Sequence, residues 1–125
     1  MPADFNGKWK MDRTEGAAEF IKALGIPADK VPKSADLEIK QNGDDEFTFQ
    51  VVTEKATRNH SVTVGKSFKE SILGVDFEGA ARWDGDRLVT ANDKGTEITR
   101  EIIDGELVVT MTVKGVTAKR IFKKC

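Results

Sequence analysis

The chain has 125 residues, the size of one ordinary domain, with a net charge of -1, 33% charged residues and 38% hydrophobic residues. That balance gives no bulk attraction for nucleic acid or for an anionic membrane, and no run approaches the ~20 apolar residues of a membrane span. The single cysteine, Cys125, leaves no internal disulfide to form, which suits a reducing compartment. The opening "MPADFNGKWK" lacks the apolar core of a secretory signal. The expectation is one cytoplasmic domain over 1–125, monomeric, with no nucleic-acid partner.

A first strand is expected near residues 7–13. The next segment, "TEGAAEFIKALGIPADKVPKSA", has Ala17, Phe20, Ile21 and Leu24 at helical spacing. Thr14 fits an N-cap and Gly25 a stop. Pro27 fits the first turn of a second, short helix, and Pro32 limits how far it runs. A helix-turn-helix piece over about 14–35 is therefore expected between the first two strands. Its apolar face must cover something, and the open end of a barrel is the candidate.

From residue 36 the pattern changes. Turn signals stand at Asn42-Gly43, Gly65, Gly74, Gly79, Asp84-Gly85, Asp93-Lys94-Gly95, Asp104-Gly105 and Lys114-Gly115. Runs rich in Val, Thr, Ile and Phe separate them. This spacing predicts an all-β protein of about ten strands, nine of them after residue 36, as a meander, sandwich or barrel.

The last three strands carry two arginines on apolar faces. Strand side chains alternate, so Ile98, Arg100 and Ile102 share a face. Leu107, Val109, Met111 and Val113 share the next, and Val116, Ala118, Arg120 and Phe122 the third. Two-residue turns at Asp104-Gly105 and Lys114-Gly115 set Arg100 opposite Val109 and Val109 opposite Arg120. Both arginines then sit at one level of one sheet face, ~10 Å apart along the sheet. Cations on an apolar face need anionic or polar partners, and guanidinium matches carboxylate through two parallel hydrogen bonds. Two readings follow. Either internal acids or solvent satisfy the arginines, or the partner is a ligand's acidic head, with its tail along Val109, Met111, Ala118 and Phe122.

Several stretches resemble one family over the whole chain. "DFNGKWKM" is similar to the first strand of the intracellular lipid-binding proteins, which include fatty-acid-binding, retinoid-binding and ileal bile-acid-binding proteins. "EFIKALGIP" resembles their first lid helix. "QNGDDEFTF", "TVGKSF" and "WDGDRLV" resemble successive hairpins, and "TREIIDGELVVTMTVKGVTAKRIFKK" the last three strands. The resemblance implies a ten-stranded antiparallel up-and-down β-barrel, clam-like, with a short helix-turn-helix lid. It also implies intracellular transport of a hydrophobic ligand such as a long-chain fatty acid. In the fatty-acid-binding branch an arginine on the eighth strand and an Arg-x-Tyr on the tenth hold the carboxylate. Arg100 and Arg120 occupy those places, and Phe122 stands where the tyrosine would be.

The chain has no tyrosine, so one hydroxyl donor is absent. Phe122 and the ending "RIFKK" are similar to retinol carriers, which typically have glutamine in place of the two arginines. The lid is about four residues shorter than is usual for the family, roughly one helical turn. A retinoid or bile-acid carrier of the same fold stays open as an alternative. So does a lipocalin-like secreted barrel, because Gly7-Lys8-Trp9 fits the Gly-x-Trp found there. A third alternative is an interaction module with a packed interior.

Trp9, Trp83, Phe47, Phe49, Phe68 and Phe77 are expected mainly as packing. Lys22, Lys30 and Lys33 are expected on a solvated lid surface, or in transient contact with anionic membranes. His60 has no partners at metal-ligand spacing and is expected as a surface or hydrogen-bonded strand histidine. No nucleophile motif or phosphate loop is present, so no catalytic residue, metal or cofactor is expected.

Overall fold

A computed structural model describes residues 4–25, 34–43, 45–54, 56–72, 75–92 and 95–125. Ten strands and one helix follow in order: β1 (Gly7–Glu15), α1 (Ala17–Leu24), β2 (Ala35–Asn42), β3 (Glu46–Thr53), β4 (Thr57–Thr63), β5 (Ser67–Ile72), β6 (Val75–Asp84), β7 (Arg87–Ala91), β8 (Glu97–Ile103), β9 (Glu106–Val113) and β10 (Val116–Lys124). The expected all-β barrel of ten strands is what forms.

Consecutive strands pair antiparallel, and β1 pairs with both β2 and β10. The order β4-β3-β2-β1-β10-β9-β8-β7-β6-β5 nearly closes on itself. Only β4 and β5 remain as edges, and among the described residues one isolated bridge, Val64 to Ala81, spans that region. The β8–β9 and β9–β10 turns are tight because Asp104-Gly105 and Lys114-Gly115 all take positive φ, with 52° at both Asp104 and Lys114. Two positive-φ residues in a row match the right-handed twist of the flanking strands.

One end of the barrel is plugged with aromatic rings. Phe5 stacks on Trp83 at 5.9 Å and lies 6.2 Å from Phe47. The Trp9 indole N–H donates to the Phe5 carbonyl at 3.0 Å. Trp9, Phe47 and Phe49 are buried as expected of packing residues; the side chains of Phe68 and Phe77 lie outside the described ones. At the C-terminus Cys125 is exposed, and its backbone N–H donates to the Lys8 carbonyl at 2.9 Å.

The helix closes on the opposite end. Phe20 is its buried residue, while Ala17, Ile21 and Leu24 are partly buried and Lys22 is exposed. Gly25 ends it as expected, with φ 68° and its N–H bonded to the Ile21 and Lys22 carbonyls. The start differs from expectation. Thr14 is not the N-cap: it belongs to β1, paired with Arg120. Gly16 takes the cap at φ 70° without a side-chain bond. The reason is close approach, because a Cβ on Gly16 would meet the Thr117 carbonyl oxygen at 2.8 Å. The second helix expected at Pro27, together with Lys30, Pro32 and Lys33, lies outside the described residues.

Gly43 offers a control for Gly16, since it has φ 68° and nothing within 4 Å of its missing Cβ. In urea denaturation Gly43→Ala is expected to cost about 1–2 kcal/mol from the left-handed backbone alone. Gly16→Ala is expected to cost at least about 1 kcal/mol more, from the collision with β10. Equal costs would mean that the helix start can move off β10 freely.

Candidate functional site

The inner wall is built by alternation. Leu88, Arg100, Val109 and Arg120 occupy one cross-strand row: Arg100 pairs with Leu88 on one side and Val109 on the other, and Val109 pairs with Arg120. The register read from the two-residue turns is the one observed. A bulge in β1 between Met11 and Arg13 then brings Thr14 opposite Arg120. Directly opposed residues share a sheet face, so Thr14 extends the same row.

The remaining expected residues bracket this row. Met111, paired with Ile98 and Ala118, lies one step toward the helix end. Phe122, paired with Leu107 and Met11, lies one step toward the aromatic plug. Met111 and Phe122 therefore stand on opposite sides of the arginines. A tail leaving the arginine level toward the helix passes Met111 and Ala118, not Phe122.

Each guanidinium rests on a ring. Arg100, 3% exposed, has its Cζ 4.6 Å from the Phe49 ring centre, and Arg120 has its Cζ 5.4 Å from that of Phe122. Both distances lie within cation–π range. Burial lowers the Arg120 pKa, and the nearby positive charge of Arg100 lowers it further. Among the described residues no carboxylate lies within ion-pairing distance of Arg120. Nor do any three His, Cys, Asp or Glu side chains gather as a metal site among them.

Arg120 keeps some solvent access although it faces inward, as do Met11, Val51, Val113 and Val116. Val113 and Val116 flank the β9–β10 turn at the helix end of the barrel. Aromatic packing closes one end of the barrel, a helix covers part of the other, and two cations lie on the wall between.

The model of the lipocalin / cytosolic fatty-acid-binding protein family matches residues 3–125. The chain belongs to this family. Rat (Rattus norvegicus) retinol-binding protein 1 is 37% identical, over 99% of this chain and 98% of its own. The fatty acid binding protein 1-B.1 of Danio rerio is 32% identical, over 96% and 97%. Among solved structures, zebrafish ileal bile-acid-binding protein complexed with cholic acid superposes with a TM-score of 0.82 at 31% identity, covering 97% of this chain and 98% of that one.

Two residues carry contacts that the sequence left unassigned. Phe49, expected mainly as packing, is buried and also carries the Arg100 guanidinium. His60, expected as a surface or hydrogen-bonded strand histidine, is a half-buried residue of β4 that pairs with Phe49 on the inner wall and stacks on its ring at 4.9 Å. The signal was present in "HSV", because alternation puts His60 on the same face as buried Val62.

The lowered Arg120 pKa has a sign that can be tested. The folded protein holds the charged form less well than the unfolded chain does. Arginine stays charged in both states near neutrality, so the full cost is present there and fades only as pH rises toward the folded pKa. Arg120→Met is expected to raise the stability of delipidated protein by about 1 kcal/mol, equally from about pH 6 to pH 8. A loss of that size in urea denaturation would mean that the charge is compensated inside the protein.

Proposed function

We propose that this protein is a non-enzymatic carrier that takes a hydrophobic ligand with an acidic head into its barrel, most simply a long-chain fatty acid. The observation that carries this reading is the pair of inward cations at one level, Arg100 and Arg120, with Arg120 destabilised by burial and by its neighbour. A bound carboxylate would relieve both costs at once, accepting hydrogen bonds from two guanidinium groups. The tail would run from there past Met111 and Ala118 toward Val113, Val116 and the apolar face of α1. Its removal from water supplies up to ~0.8 kcal/mol per methylene, so the tail gives affinity and the arginines give selectivity. Work as a monomer in the cytoplasm, solubilising and delivering lipid, fits the family and the composition. Exposed Lys22 on the helix offers a contact for anionic membranes during transfer.

A second reading keeps the fold and changes the ligand. The 37% identity to a retinol-binding protein and the phenylalanine at 122 favour a retinoid, whose alcohol needs no countercharge. Displacement of a fluorescent anionic lipid from delipidated protein separates the two. An eighteen-carbon fatty acid is expected to compete at least about tenfold better than its matching alcohol, about 1.4 kcal/mol. Arg100→Gln and Arg120→Gln are each expected to weaken the acid by about tenfold while moving the alcohol less than about threefold. Equal competition by acid and alcohol in the parent protein would contradict the carboxylate reading and favour the retinoid.

A further inference from the structure

We infer that Phe49 is a positioning residue for acid recognition: it holds the Arg100 guanidinium at the level of Arg120 by a contact that crosses the barrel. The inference rests on the carboxylate reading above and deepens it. Phe49 lies on β3 and Arg100 on β8, and in the sheet β2, β1, β10 and β9 stand between them. Their contact at 4.6 Å is therefore wall to wall rather than neighbour to neighbour. Both side chains are almost fully buried, at 1% and 3% exposure.

An arginine side chain has several rotatable bonds, and each contact on the guanidinium narrows the positions it samples. A ring face restricts it to one plane and does not itself occupy an N–H donor. The ring is itself restricted. His60, its cross-strand partner, stacks on it at 4.9 Å with 19° between the planes, and Phe47 stacks on it at 6.1 Å with 15°. Phe47 in turn packs on Phe5 and Trp83 in the aromatic plug. The position of the head-group cation is thus referred, ring by ring, to the aromatic plug. Arg120 has the matching device in Phe122, two residues along its own strand. A ring there supports a guanidinium whether or not it carries a hydroxyl.

The test is the same acid and alcohol titration, applied to Phe49→Leu and Phe49→Tyr in the parent and Arg100→Gln backgrounds. Leucine keeps an apolar side chain and removes the ring; tyrosine keeps the ring. Phe49→Leu is expected to weaken acid binding by about tenfold and alcohol binding by less than about threefold, with Phe49→Tyr close to the parent. In the Arg100→Gln background, Phe49→Leu is expected to change acid binding by less than about threefold, because the cation it positions is gone. Phe49→Met serves the same comparison should the leucine variant fold poorly. Equal weakening of acid and alcohol, or the same tenfold loss with and without Arg100, would reduce Phe49 to packing and overturn the inference. These results differ from failure of the carboxylate reading, which shows as a parent protein with no preference for acid; that outcome overturns both.

Discussion

Two positive charges held at one level inside an apolar shell constrain everything around them. Taking a guanidinium from water is costly, and placing a second one nearby adds repulsion, as the depressed pKa of Arg120 records. Each guanidinium also lies against an aromatic face, Arg100 on Phe49 and Arg120 on Phe122. A ring face offsets part of the cost of burying a cation and does not itself occupy a hydrogen-bond donor. On the proposed reading, a ligand carboxylate offsets more of that cost.

This arrangement divides the barrel into two unequal halves. Beneath the arginines the interior is solid: Phe5, Phe47, Trp9 and Leu107 are all buried, and Trp83 is stacked among them. Above them Ile98, Met111 and Ala118 are buried while Val113 and Val116 are partly accessible, and the cover among the described residues is one helix whose buried residue is Phe20. The close seat of Gly16 against Thr117 fixes where the helix leaves β1 and so where that cover begins.

Much of this was legible in the sequence, for physical reasons. The level shared by Arg100, Val109 and Arg120 follows from period-two alternation and two tight turns, both local properties. The ten strands and the Gly25 stop were readable in the same way. The stacking of Phe49 under Arg100 was not, because it joins residues that meet only after the sheet has curled almost shut. The pairing of Thr14 with Arg120 depends on an extra residue in β1, and a bulge leaves no mark in an alternating pattern. Thr14 therefore lies within β1, and Gly16 takes the helix cap. The stacking of His60 on Phe49 was hidden for the same reason as any cross-strand contact: a strand histidine shows its partner only once the neighbouring strand is known.

The central claim is that a ligand carboxylate lies between the two guanidinium groups, and its own titration tests that most directly. A fatty acid labelled with carbon-13 at the carboxyl would be bound to delipidated protein and followed by NMR as the pH is lowered. Beside two cations the bound carboxyl is predicted to stay ionised well below the ~4–5 range of an ordinary carboxylic acid, as far down as the protein stays folded. A bound carboxyl that titrates within or above that range would place the head group away from Arg100 and Arg120, and the account of this site would be wrong.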